Sequence, residues 1–95
     1  MNFFEVEKSP YNEKYTIRLI HDNLPLGTVY GSCNVIAARI MNLSWPQYLI
    51  MCRELYGATL IGKNTKYPVA LFETEEKAQK LCSILNKRTS TILKH

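Results

Sequence analysis

The sequence predicts an α+β domain in which short antiparallel strands pack with three helices, in the order β-β-(β)-α-α-β-β-α. Three observations predict it. Apolar and polar residues alternate with the period of a strand near the N-terminus. Apolar residues then follow helical spacing over residues 45–56, with capping residues at both ends. Two further strand-like runs flank a basic turn and are followed by another stripe with helical spacing.

The predicted strands near the N-terminus form a small antiparallel meander. Apolar and acidic residues alternate over residues 4–7, so we expect this strand to have one face open to water. Residues 15–21 resume the alternation and are rich in β-branched and aromatic side chains, which favour strands. Residues 22–27 contain a proline and a glycine, which break the strand. Residues 28–30 can then return as a short third strand.

A short helix is predicted over residues 33–41. Ser32 is a suitable N-cap for it, and its apolar residues lie along one side. Asn42 is expected to close the helix in a left-handed conformation, which asparagine tolerates better than most residues. Because the next helix begins almost at once, the two helices should form a corner with a very short turn.

The central helix has marked ends. Ser44 and Gln47 fit the S-x-x-Q capping box, Pro46 lies in the first turn, where its missing N–H costs little, and Gly57 supplies the left-handed residue that ends many helices. Between these ends the helical spacing predicts a buried stripe that comprises Trp45, Tyr48, Leu49, Cys52, Leu55 and Tyr56.

A β-hairpin is predicted after the central helix. Residues 58–62 and 67–72 are strand-like, and they flank a tip at residues 63–66 that contains two lysines. Pro68 has no N–H to donate to a ladder, so the second strand should lie at an edge.

The last predicted helix begins at Thr74, its N-cap, with Glu75 and Glu76 in the positive first turn. Its apolar stripe is formed by Ala78, Leu81, Cys82 and Leu85. The polar residues 86–88 suit a helix C-terminus, which gives a single domain over residues 1–88 and a flexible tail over residues 89–95.

Composition excludes several classes of protein. The chain has 95 residues, of which 46% are hydrophobic and 21% charged, as in an ordinary globular domain. No run approaches the roughly 18 apolar residues of a membrane span, and the N-terminus does not resemble a signal peptide. We therefore expect a cytoplasmic protein without membrane contact.

Neither the cysteines nor the acidic residues form a recognisable chemical site. Cys33, Cys52 and Cys82 are far apart, contain no C-x-x-C pair and lie on apolar helix faces, so we expect buried, reduced thiols and no metal site. No nucleophile motif or phosphate-binding loop is present. The sequence thus predicts a protein that is not an enzyme and has neither a cofactor nor a small-molecule substrate.

The charge distribution supports a nucleic-acid-binding hypothesis. The net charge of +4 lies in the last 38 residues, because residues 1–57 balance five basic against five acidic side chains. Two short helices followed by a basic hairpin are also the order of a winged helix-turn-helix domain. The second helix nevertheless offers few polar side chains for base contacts. The candidate nucleic-acid-binding residues are Gln47, Lys63, Lys66, Lys87 and Arg88.

The competing hypothesis is protein binding by the central helix, which is apolar over most of its circumference. A helix that cannot hide every large side chain in a small domain must cover it with another surface. That surface would belong to a partner protein or to a second copy of the chain. The candidate partner-binding residues are Trp45, Leu49, Ile50 and Arg53. Alternatively, the helix is central and these side chains are core.

One resemblance adds context. The stretch S-W-P-Q-Y-L-I-M-C-R-E-L-Y-G-A-T-L-I-G-K-N-T-K-Y-P-V-A-L-F with the short helix after it, residues 44–86, resembles small uncharacterised proteins encoded by phages of low-GC Gram-positive bacteria. The resemblance implies a non-enzymatic protein that binds and modulates or inhibits a host or defence component, or a regulator that binds DNA. Our first hypothesis is the protein-binding modulator, and the alternative is the winged helix-turn-helix-like regulator.

Overall fold

The computed structural model describes residues 3–9, 12–20, 33–61 and 69–93. It confirms the α+β class and the predicted element order. The predicted third strand at residues 28–30 lies outside the described residues. The strands and helices are β1 (Phe4–Lys8), β2 (Tyr15–Leu19), α1 (Cys33–Ile40), α2 (Trp45–Tyr56), β3 (Thr59–Ile61), β4 (Val69–Leu71) and α3 (Glu75–Leu93).

The strands form two antiparallel hairpins that are joined at one point. In the first hairpin Phe4 pairs with Leu19, and in the second Thr59 pairs with Leu71. Tyr15 and Phe72 join them, because each backbone N–H donates to the other residue's carbonyl oxygen, at 2.9 and 2.8 Å. β2 and β4 are therefore neighbours at this bridge.

The ends of α2 form as the sequence predicted. The amide of Gln47 donates to the Ser44 hydroxyl at 3.3 Å, and the Ser44 amide donates to Gln47 Oε1 at 3.0 Å, which completes the capping box. Gly57 has a φ of 64° and ends the helix in the left-handed conformation. The cap at each end satisfies backbone groups that a helix terminus otherwise leaves unpaired.

The corner between α1 and α2 is tight. Asn42 has a φ of 59°, the left-handed conformation expected for it. The amide of Leu43 donates to the Ala38 carbonyl at 2.8 Å and that of Asn42 to the Arg39 carbonyl at 3.0 Å, so these backbone groups of the turn are paired. α1 packs Ile36, Ala37, Ala38 and Ile40 into the core.

α3 packs against the hairpin of β1 and β2 and against the two shorter helices, and its predicted stripe is confirmed. Ala78, Leu81, Cys82 and Leu85 are all buried. The helix also begins as predicted, since the Lys77 amide donates to the Thr74 hydroxyl at 3.3 Å.

The predicted end of α3 near Arg88 was wrong, because the helix continues to Leu93. Thr89 is fully buried, and its hydroxyl donates to the Leu85 carbonyl at 2.7 Å. This internal bond lets a polar residue continue the buried stripe, since it satisfies the hydroxyl inside the core.

Candidate binding surfaces

The candidate partner-binding residues of α2 divide into exposed and buried ones. Trp45 and Ile50 expose 44% and 49% of their surface, whereas Leu49 is only 5% exposed. Leu49 packs with Tyr48 and Cys52 in the core, so its prediction as a contact residue on the surface was wrong. The physical reason is helical geometry, since the three buried residues share an arc of about 100° and Ile50 lies about 100° further round.

The buried stripe of α2 is also shorter than predicted. Trp45 and Leu55 follow its spacing, but Leu55 is 73% exposed and Trp45 nearly half exposed. Both stand in the end turns of the helix, and the core residues occupy the middle. Helical spacing therefore identified the side of the stripe but not its length.

Arg53 lies between Trp45 and Ile50 around the helix circumference, about 60° from Ile50 at the usual 100° per residue. It is exposed, and its guanidinium pairs with Glu54 Oε1 at 3.1 Å. We refer to Trp45, Ile50 and Arg53 as the α2 surface. It combines two large apolar side chains with a cation.

The described structure brings together only two of the candidate nucleic-acid-binding residues. Gln47 is exposed, but its side-chain oxygen is engaged in the capping box of α2. Lys63 and Lys66 lie outside the described residues. Lys87 and Arg88 are exposed in the second half of α3.

α3 nevertheless has a strongly uneven charge. Its acidic residues lie in the first turn, and the remainder of the helix, residues 77–93, carries four basic and no acidic side chains. Lys80 pairs loosely with Glu76 at 4.0 Å. Lys77 lies over the end of α2, since a Cβ placed at Gly57 would be 3.2 Å from its ammonium nitrogen. Within the described ranges, Lys87 and Arg88 form no ion pair.

An open groove runs between the end of α1 and the second half of α3. It has a volume of about 520 Å³. Its apolar lining comes from Ile40, Ile84 and Ile92, and Lys87 and Arg88 line it as well. Ile40 is buried, whereas Ile84 and Ile92 each expose 37% of their surface. We call this the α1–α3 groove.

A second groove, between β1 and α3, is lined in part by Asn86, which no motif in the sequence singles out. Asn86 Oδ1 accepts from the amides of Phe3 and Phe4, both at 2.8 Å, and Asn86 Nδ2 donates to the Phe4 carbonyl at 3.0 Å. The side-chain amide of Asn86 thus forms hydrogen bonds with the backbone of Phe3 and Phe4, as a neighbouring β-strand would. This role depends on tertiary contact over more than eighty residues of sequence, so no local pattern reveals it.

The described thiols are buried, as predicted for them. Burial raises the pKa of the Cys52 thiol from 9.0 to about 11, and it also raises the pKa of the Cys82 thiol. Because the thiolate is the reactive form, both are weak nucleophiles at neutral pH. The side chain of Cys33 is outside the described part of the structure.

No protein-family model, curated protein or solved structure matches this chain. The described residues contain no group of three metal-ligating side chains. None of the helices in this part of the chain has the length and hydropathy of a membrane span.

Proposed function

We propose that this chain is a non-enzymatic binding protein that modulates or inhibits another macromolecule by protein–protein contact. Given the resemblance to phage proteins, the partner is a host or defence protein and the site of action is the host cytoplasm. The contact is made by the α2 surface. No cofactor takes part.

The observation that supports this proposal is the exposure of Trp45 and Ile50 on α2. The buried residues of this helix, Tyr48, Leu49 and Cys52, already pack in the core. Scattered exposed apolar residues are normal on any surface. Tryptophan and arginine, however, are the residue types that most often dominate binding energy at protein interfaces. Trp45 and Arg53 place both types on one helix, and Ile50 lies about 60° from Arg53 around its circumference.

The test is capture of a partner from a lysate of a low-GC Gram-positive bacterium with the immobilised chain and two matched variants. Ile50→Asp and Leu55→Asp introduce the same charge at exposed positions of α2, about 140° apart around the helix. A protein captured by the original chain should be lost with Ile50→Asp and retained with Leu55→Asp. Equal capture by both variants, or no capture by the original chain, contradicts the proposal.

Leu49→Asp serves as the folding control. Because Leu49 is buried, a charge there should unfold the chain, whereas Ile50→Asp should leave its circular dichroism spectrum and melting temperature nearly unchanged. Self-association through the same surface is a further outcome, which light scattering after size-exclusion chromatography measures directly. A dimer that Ile50→Asp dissociates would make the α2 surface a self-association site.

A second candidate function, nucleic-acid binding by a winged helix-turn-helix-like regulator, is favoured by the charge of α3. Lys87 and Arg88 would contact phosphates there, together with Lys63 and Lys66 of the predicted hairpin tip, and Gln47 would contact bases. Labelled duplex and single-stranded DNA should then bind with an affinity that falls by orders of magnitude between about 50 and 200 mM salt. Absence of binding at the lower salt concentration excludes this candidate.

A further inference from the structure

We propose that the α1–α3 groove is a second docking site, and that its occupant is an acidic amphipathic helix of a partner protein. The inference shares with the proposed function the idea that the chain binds protein. It concerns a different face, because none of the residues that line the groove belongs to the α2 surface.

The dimensions of the groove suit one face of a helix. Ile84 and Ile92 are eight residues apart on α3, which is about 12 Å along the helix axis. Ile40 forms the opposite wall. A partner helix of about three turns, with apolar residues at i, i+4 and i+7, can place them along this apolar strip.

The groove also excludes an extended peptide as the natural occupant. Its described walls are helices, whose backbone groups are already paired within each helix, so they offer no edge to which a strand could bind. A helical partner satisfies its own backbone and needs only side-chain contacts. The groove therefore favours a helix.

Charge complementarity fixes the partner's polar residues. Lys87 and Arg88 line the groove, and no described carboxylate pairs with either of them. Carboxylates that flank the apolar stripe of a partner helix would meet these two cations. Arginine can bind a carboxylate with two parallel hydrogen bonds, which favours a defined position.

The lining argues against nucleic acid at this place. Proteins that bind single strands usually stack the bases on aromatic side chains. The groove presents three isoleucines and no aromatic residue. Apolar aliphatic side chains complement the leucines or isoleucines of a helix instead.

The experiment uses three fluorescent peptides at about 150 mM salt, where charges separated by more than about 8 Å are largely screened. The first has a leucine stripe flanked by glutamates, the second has lysine in place of each glutamate, and the third is a scrambled form of the first. Fluorescence anisotropy should show the full-length chain binding the acidic peptide at least ten times more tightly than the other two.

Charge reversal then tests the site. Lys87→Glu with Arg88→Glu should reverse the preference, so that the lysine peptide becomes the better ligand. Lys77→Glu with Lys80→Glu makes the same change on the same helix outside the groove and should preserve the original preference. Ile84→Ser should weaken the acidic peptide without reversing the preference, because it removes apolar contact only.

Three results would overturn the proposal. Equal binding of the scrambled peptide would show that charge alone is recognised. An unchanged preference in the Lys87→Glu, Arg88→Glu variant would place the peptide elsewhere. Single-stranded DNA that binds through these two residues, with no peptide bound, would assign the groove to nucleic acid. Each outcome is separate from partner capture by the α2 surface, which the Ile50→Asp variant tests alone.

Discussion

Among the single residues, Asn86 connects α3 to the start of β1 through its side chain. Its side chain satisfies two amides and one carbonyl at the start of β1, and it also donates to the Cys82 sulfur at 3.7 Å. One side chain thus fixes the first strand to the last helix. No apolar residue can replace it, because the backbone groups of Phe3 and Phe4 would lose their partners.

Replacing Asn86 by alanine should therefore lower the free energy of unfolding by about 2 kcal/mol, because polar backbone groups are left unpaired at a largely buried position. Urea denaturation followed by circular dichroism measures the change. Gln79→Ala is the matched control, since Gln79 lies exposed on the same helix and its loss should change stability by less than about 0.5 kcal/mol. Equal stability of the two variants would contradict the assigned role.

The buried thiol of Cys52 should make the stability of the fold depend on pH. Its pKa is raised from 9.0 to about 11 in the fold, so between these values the folded chain keeps a proton that the unfolded chain has lost. Stability should fall as pH rises through this window, by at most roughly 3 kcal/mol in total from this group. Denaturation at several pH values should show a steeper fall for the original chain than for Cys52→Ala. Parallel curves would contradict the prediction.

Among the elements, α3 continues into the core beyond its predicted end. Thr89 is fully buried, although the sequence predicted that the helix ends before it. The polar run at residues 86–88 resembles a helix terminus, yet two of these side chains face outward and the third binds β1. The last turns of α3 are therefore part of the folded domain.

Deletion of residues 89–95 should destabilise the chain by on the order of 2 kcal/mol, because it removes the buried Thr89 and the last turn of α3. Thermal denaturation of this variant should show a clear fall in melting temperature. Deletion of residues 94–95 alone is the control and leaves the described helix intact. A melting temperature that is the same for both deletions would restore the interpretation of residues 89–95 as a tail.

At the scale of the whole molecule, the features predicted correctly are those that short stretches of sequence determine. The capping box at Ser44, the left-handed Asn42 and Gly57, and the strand alternation follow from local rules of conformation. The bridge between Tyr15 and Phe72, the burial of Thr89 and the role of Asn86 depend on how distant elements meet.

The candidate sites show the same division. Periodicity placed Ile50 outside the apolar stripe, and the structure leaves it exposed. The exposure of Trp45 and the burial of Leu49 depend on where along α2 the neighbouring elements pack, which spacing alone does not contain. The α1–α3 groove likewise joins two helices that are far apart in the sequence, so charge counting found Lys87 and Arg88 but not the apolar strip beside them.

Binding of a protein through the α2 surface can be measured directly at Trp45. This residue is the single tryptophan of the chain. We would label it with 5-fluorotryptophan and record its ¹⁹F nuclear magnetic resonance signal while the captured partner is added. If the partner contacts the α2 surface, this one signal should shift or broaden in the original chain and in Leu55→Asp, but not in Ile50→Asp. A complex that forms while the signal stays sharp and unshifted would contradict it.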